Sequence, residues 1–132
     1  MSDDYKYKET TGLIIGAAME VHKSLGNGFQ EVIYQRALKI EFIHSNIDFK
    51  REFEMPIYYR GNHIGTHRVD FLINDLISVE IKAVIRLEDV HLAQAINYLE
   101  AYNIEVGLLI NFGSRSLVFK RLFNSKFNPI NP

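Results

Sequence analysis

Three ionisable residues on two otherwise apolar stretches raise the question of chemistry. Asp70 sits in Arg68-Val69-Asp70-Phe71-Leu72, and Glu80 and Lys82 sit in Val79-Glu80-Ile81-Lys82-Ala83. Alternate residues of an extended strand share a face. Glu80 and Lys82 therefore point one way, and Ile77, Val79 and Ile81 the other. Charged side chains are rarely buried unless they pair with each other or bind a metal. Asn74-Asp75 reads as a tight turn, which makes the two stretches antiparallel neighbours. Counted outward from that turn, Asp70 and Glu80 reach roughly matching heights. Two carboxylates at one height repel, so a cation belongs between them. Mg²⁺ suits that place, because it takes oxygen ligands and keeps waters that can serve as nucleophile. Lys82 suits an ammonium that orients or deprotonates the attacking water, or steadies charge on a phosphate. A plain ion pair of Lys82 with Asp70 or Glu80 accounts for the same residues. A motif this short leaves both readings open.

The elements that must position these residues follow from periodicity. Leu13, Ala17 and Val21, with Ile14 and Ala18 beside them, predict a helix over 7–24. Gly26-Asn27-Gly28 ends it. A second helix is expected over 30–45, with one apolar row of Ile33, Ala37 and Ile40 and another of Tyr34, Leu38 and Phe42. Alternation then takes over: Phe49, Arg51, Phe53, Met55, Ile57 and Tyr59 are expected on one strand face. Pro56 marks that strand as an edge or a bulge. A hairpin turn at 60–63 leads to a strand over 64–73, and a third strand covers 76–83. A third helix over 88–102 carries Leu92, Ile96, Leu99 and Tyr102 at helical spacing. Residues 106–112 read as a strand buried on both faces, and 116–123 as a last strand. The order α-α-β-β-β-α-β-β predicts an α/β fold, a mixed sheet flanked by helices. One domain over 1–132 is expected, with 1–8 and 124–132 as loosely held tails.

These residues resemble a known family. Asp70 followed by Glu80-Ile81-Lys82 is similar to the signature of the PD-(D/E)XK nuclease superfamily, with Val69 in place of the proline. A closer resemblance is to the GxxExxY proteins, a branch of that superfamily. It rests on Gly28-Phe29-Gln30-Glu31-Val32-Ile33-Tyr34, on Val21-His22-Lys23-Ser24-Leu25-Gly26, on His91-Leu92-Ala93-Gln94 with Tyr98-Leu99, and on Gly107-Leu108-Leu109-Ile110-Asn111-Phe112. The resemblance implies a restriction-endonuclease-like fold and a Mg²⁺- or Mn²⁺-dependent nuclease. It implies Asp70, Glu80, the Ile81 backbone carbonyl and Glu31 as metal ligands, and Asp70, Glu80, Lys82, Gln94 and Glu31 as the catalytic set. Glu31 is equally an acid favoured at a helix N-terminus. Gln94 is equally an ordinary polar helix position.

His91, Gln94 and Tyr98 share a helix face at i, i+3 and i+7, apart from the apolar row. With His22, which is equally a hydrogen-bonded structural histidine, and with Tyr34 and Arg68 they complete the expected cleft. His63 and His67 share a strand face at i and i+4. Without a third ligand they read as surface residues rather than a zinc pair. Arg51, Arg60 and Arg68, and then Arg115, Lys120, Arg121 and Lys126, form locally basic stretches that can meet phosphates or simply be solvated.

Composition narrows the classes. The 132 residues are 47% hydrophobic and 23% charged, an ordinary globular balance. No cysteine is present, so disulfides, thiolate zinc sites and cysteine nucleophiles are excluded. Met1 to Thr10 is polar, no apolar run can span a bilayer, and a cytoplasmic protein without membrane contact is expected. The net charge of −1 argues against binding nucleic acid through bulk charge alone. The expected partner is nucleic acid, DNA ahead of RNA, with a homodimer as a simple way to cut both strands. The alternative is a catalytically inactive nuclease-fold module that binds nucleic acid or a protein partner.

Overall fold

The computed structural model of the chain describes residues 7–129. Helix α1 (Lys8–Leu25) and helix α2 (Glu31–His44) are followed by strands β1 (Phe49–Tyr59), β2 (Asn62–Ile73) and β3 (Ile77–Lys82). Helix α3 (Asp89–Tyr102), strand β4 (Val106–Asn111) and strand β5 (Val118–Phe123) complete the order. The five strands join one sheet in the order β1-β2-β3-β4-β5. β3 and β4 are parallel, joined by the α3 crossover, and the other neighbours are antiparallel. This is the mixed, restriction-endonuclease-like sheet expected from the sequence. No helix among the described residues is long and apolar enough to cross a membrane.

The sheet separates two cores. One face packs on α1 and α2 through Ile14, Ala18, Tyr34, Leu38, Phe42, Phe71, Ile77, Val79, Ile81 and Leu108. The other packs on α3 through Met55, Val69, Ala95, Leu99 and Leu109. In α2 the Tyr34-Leu38-Phe42 row is fully buried, whereas Ile40 of the other row is exposed. Leu13 of α1 is also exposed, because Ile14 and Ala18 take the inward positions instead. On the α3 side, Gly107 sets the approach of the helix. A Cβ there would sit 3.0 Å from both a Leu99 methyl and Ser78 Oγ. Tyr102 then fastens the end of α3 to β1 by donating to the Met55 carbonyl at 2.6 Å.

β1 departs from simple alternation. Phe49 and Phe53 were expected on one face of β1, yet Phe49 packs with the α1/α2 core and Phe53 with the α3 core. The change comes at Glu52, which has a left-handed φ of 52° and drops out of the ladder together with Asp70. The register is unchanged across that gap, and β2 changes face with β1, Phe71 lying with the α1/α2 core and Val69 with the α3 core, whereas the register shift of this pair lies farther on, between Ile57 and Tyr58. The C-terminal segment 124–129 forms hydrogen bonds with the end of α3 and the loop after it. Buried Asn124 donates to the carbonyls of Leu99 and Ile104 at 3.1 Å, and Asn103 and Asn128 exchange hydrogen bonds at 2.7 and 2.9 Å. Residues 7 and 8 belong to the start of α1, while 1–6 and 130–132 lie outside the described residues.

Candidate active site

The site forms where β2 and β3 part. Asn74 and Asp75, both with left-handed φ, turn the chain between them. Their ladder runs Ile73↔Ile77, Leu72↔Ser78 and Phe71↔Val79, and stops there. Asp70 and Glu80 are the next pair, the first residues released. A backbone N–H freed from a ladder needs another acceptor. The Ile81 N–H finds it in Asp70 Oδ2 at 2.8 Å. One residue on, the Lys82 carbonyl faces β4 and accepts from the Phe112 N–H. Strand alternation therefore turns the Ile81 carbonyl to the β2 side, into the gap that Asp70 borders.

Asp70 is held twice. Its Oδ1 accepts from Gln35 Nε2 of α2 at 2.7 Å. Gln35 is itself buried, and its Oε1 has no hydrogen-bond partner among the described residues. Burial pushes the Asp70 carboxyl above its ordinary range; the Ile81 N–H, the Gln35 amide, and the charges of Lys82 and His67 pull the other way.

Glu80 and Lys82 stand on the α3 face of β3, opposite Ile77, Val79 and Ile81, as strand parity requires. They line a cleft of ≈ 70 Å³ with His67, His91, Gln94, Ala95, Tyr98 and Leu109. Glu80 Oε1 lies 2.6 Å from His67 Nε2, and the His67 ring stacks on Tyr98 with centroids 3.4 Å apart. Burial also raises the Glu80 carboxyl, opposed by the hydrogen bond and charge of His67, with the nearby Asp70 charge raising it further. Lys82 acts on both carboxyls by its charge, but it forms no ion pair within 4.0 Å among the described residues. The simple Lys82 ion pair is therefore not what holds these residues together. His91 Nδ1 accepts from the Glu88 N–H at 2.9 Å, which puts the proton of the neutral ring on Nε2.

The expected residues thus separate. Asp70, Glu80 and Lys82 gather at the parting of β2 and β3, with His91, Gln94 and Tyr98 across the cleft from α3. Glu31 is exposed in the first turn of α2, one turn before Gln35 on the same helix face, and makes no side-chain bond among the described residues. Tyr34 is not a cleft residue. It is fully buried, stacks on Phe112 at 4.6 Å, and its hydroxyl donates to the Gly26 carbonyl and accepts from the Phe29 N–H. His22 holds the Ser114 carbonyl through Nε2 at 2.9 Å, on the loop after β4. Arg68 is exposed and pairs with Glu52 and Glu54.

Two contributors escaped the sequence reading. His67 is not a surface residue: with 18% of its side chain exposed, it bridges Glu80 and Tyr98. Its signal was present in its period-two spacing from Val69, which faces α3. Gln35 could have been reached only by noticing that it lies four residues after Glu31. Among the described residues no three His, Asp or Glu side chains form a metal-binding cluster. The available oxygen set is two carboxyls and a backbone carbonyl, and Glu80 Oε2 has no hydrogen bond among the described residues. Hard oxygen donors in that number fit Mg²⁺ or Mn²⁺, which bind through one or two carboxylates and keep their waters.

Comparison with known proteins adds a family and a fold. A family model described as the PD-(D/E)XK nuclease superfamily matches residues 8–122. No curated protein matches the chain. Among solved structures, the crystal structure of SSO0001 is similar, with a TM-score of 0.56 and 20% identity. The match covers 70% of this chain and 49% of that one, so the chain spans about half the length of that protein. At this identity the likeness concerns the fold alone.

Proposed function

Because the chain belongs to the PD-(D/E)XK nuclease superfamily, whose members generally use divalent metals, we propose that it is a Mg²⁺- or Mn²⁺-dependent phosphodiesterase acting on DNA, with RNA as the second substrate class. One observation carries the reading: two carboxyls, both made reluctant to ionise by burial, meet where β2 and β3 part, beside a lysine that pairs with neither. Such a pair gains most when a cation joins it.

Asp70, Glu80 and the Ile81 carbonyl would hold the ion, with Glu31 as a further oxygen donor from α2. When bound, the ion supplies Lewis acidity toward the phosphate and a water of lowered pKa. The chain's own residues do the rest. Gln35 and the Ile81 N–H fix the Asp70 carboxylate. His67, braced by Tyr98, fixes one oxygen of Glu80 and leaves the other free. Lys82 steadies negative charge developing on the phosphate or holds the attacking water. Gln94 and His91 line the α3 wall, where an amide and an imidazole N–H can meet phosphate oxygens. Within the superfamily, the blocks around Glu31 and Gln94 support membership of the GxxExxY branch. Also part of the proposal are a single domain over 1–132, a cytoplasmic location, and a homodimer when both strands of a duplex are cut.

The test is incubation of purified protein with labelled DNA and RNA strands and Mn²⁺. Cleavage is expected from the wild type and not from Glu80→Ala or Lys82→Ala. Cleavage that persists in the double variant would overturn the assignment. A second reading, a module that binds without cutting, is favoured by the protein partners already on Asp70 and Glu80. It predicts strand binding with no Mn²⁺ uptake in calorimetry.

A further inference from the structure

A second concavity lies on the same sheet face as the cleft. It encloses ≈ 530 Å³ and is lined by Ile85, Arg86 and Leu87 from the loop after β3, and by Ser114, Val118 and Lys120. Its position relative to the site follows from register. Glu80 pairs with Leu109 in β4, and Leu109 with Lys120 in β5, so all three stand in one row across the sheet. Residues paired across a ladder share a face. Two strand spacings put Lys120 roughly 10 Å from Glu80. That is on the order of three nucleotides of a B-form strand.

The loop that forms the other wall is held rigidly. Asn111, fully buried, receives the Val84 N–H on Oδ1 at 2.9 Å and donates Nδ2 to the Val84 carbonyl at 2.8 Å. Gly113 lies so close that a Cβ there would meet Val84 backbone atoms at 2.4 and 2.5 Å. This fixed loop nevertheless presents Ile85 with 90% of its surface exposed. Neither Arg86 nor Lys120 forms an ion pair among the described residues. The two cations flank the apolar side chains of Ile85, Leu87 and Val118 in one lining.

We propose that this groove takes one strand of nucleic acid leading out of the active-site cleft, with phosphates against Arg86 and Lys120 and a base or sugar against Ile85. The substrate class rests on the phosphodiesterase reading; the groove itself does not. Lys120 two strand spacings from Glu80, and Arg86 across the groove with apolar side chains beside it, suit a backbone that alternates charge with flat apolar rings. An exposed isoleucine on a pinned loop loses little conformational freedom when a base covers it.

The test is fluorescence anisotropy with a fluorescein-labelled single DNA strand and metal-free protein, over a range of salt concentrations. Arg86→Gln with Lys120→Gln is expected to weaken binding at least tenfold. It should also reduce the slope of log affinity against log salt by about 1.4, roughly 0.7 for each phosphate contact with a single strand. Ile85→Ser should weaken binding several-fold and leave the slope unchanged. Circular dichroism melting and Mn²⁺ calorimetry should match the wild type for both. Wild-type affinity and slope in the double variant would overturn the proposal, as would an acidic peptide that displaces the strand with higher affinity. If the wild type cleaves and the groove variants bind normally, the groove alone falls. If the groove variants lose binding but the wild type neither cleaves nor takes up Mn²⁺, the groove stands and the enzymatic reading falls.

Discussion

Replacing Gln35 by leucine separates the fold from the site. The wild-type amide donates to Asp70 Oδ1 at 2.7 Å, while its own buried carbonyl oxygen has no partner among the described residues. A hydrogen bond to a charged group contributes about 1.5–3 kcal/mol, and an unsatisfied buried polar atom costs about 1–3 kcal/mol. Leucine removes both at nearly constant volume. The two terms oppose, so folding stability in urea should change by no more than about 1 kcal/mol. The Asp70 carboxyl has no such compensation. It loses one of the donors that oppose burial and rises further above its ordinary range. A loss of about 1.4 kcal/mol from the ionised form is about tenfold in an equilibrium constant. A metal that must displace that proton then binds about tenfold more weakly at mildly acidic pH, and the loss shrinks as pH rises. Urea unfolding followed by circular dichroism, with Mn²⁺ calorimetry at several pH values, checks both halves. Destabilisation beyond about 3 kcal/mol, or Mn²⁺ affinity unchanged at every pH, would refute the reasoning.

Other outcomes follow from the same contacts. Asp70 and Glu80 bind protons more tightly in the folded chain than in the unfolded one, so their contribution to metal-free stability is greatest below the ordinary carboxylate range. It is lost as pH rises through their raised folded values. Glu80→Gln keeps an acceptor for His67 and removes the charge, so its stability relative to wild type should grow with pH in paired urea titrations; a constant difference would contradict this. The same variant should lose the rise in melting temperature that Mn²⁺ gives the wild type, a rise set by RT ln(1 + [L]/Kd). Gly113→Ala forces a Cβ against the Val84 backbone and should cost about 3 kcal/mol in denaturant, whereas a neutral result would mean the loop after β3 moves freely. Tyr34→Phe should cost about 1 kcal/mol, since both bonds of the buried hydroxyl, to the Gly26 carbonyl and the Phe29 N–H, are lost.

Much of this arrangement was legible in the sequence, and the illegible parts have common causes. β3 alternates cleanly because it is paired with β4 along its whole length, so parity alone sorts Glu80 and Lys82 from Ile77, Val79 and Ile81. β1 misled because it exchanges faces midway, at Glu52 with its left-handed φ, and glutamate gives no warning of it. His67 was misplaced because its neighbours come from elsewhere: Glu80 across the parted strands and Tyr98 from α3. Gln35 and Asn111 are buried amides whose partners are 35 and 27 residues away, beyond any local periodicity. Tyr34 belongs to the block shared with the GxxExxY pattern, yet its burial against Phe112 assigns it to packing. A recurrent motif residue need not touch the chemistry.

Crystals grown with Mn²⁺ and measured for anomalous scattering give the most direct test of the central claim, that the parting of β2 and β3 is a divalent-metal site. The account predicts one peak about 2.1 Å from carboxyl oxygens of Asp70 and Glu80 and from the Ile81 carbonyl. No peak at those oxygens in saturating Mn²⁺, or a peak held by other residues alone, would contradict it.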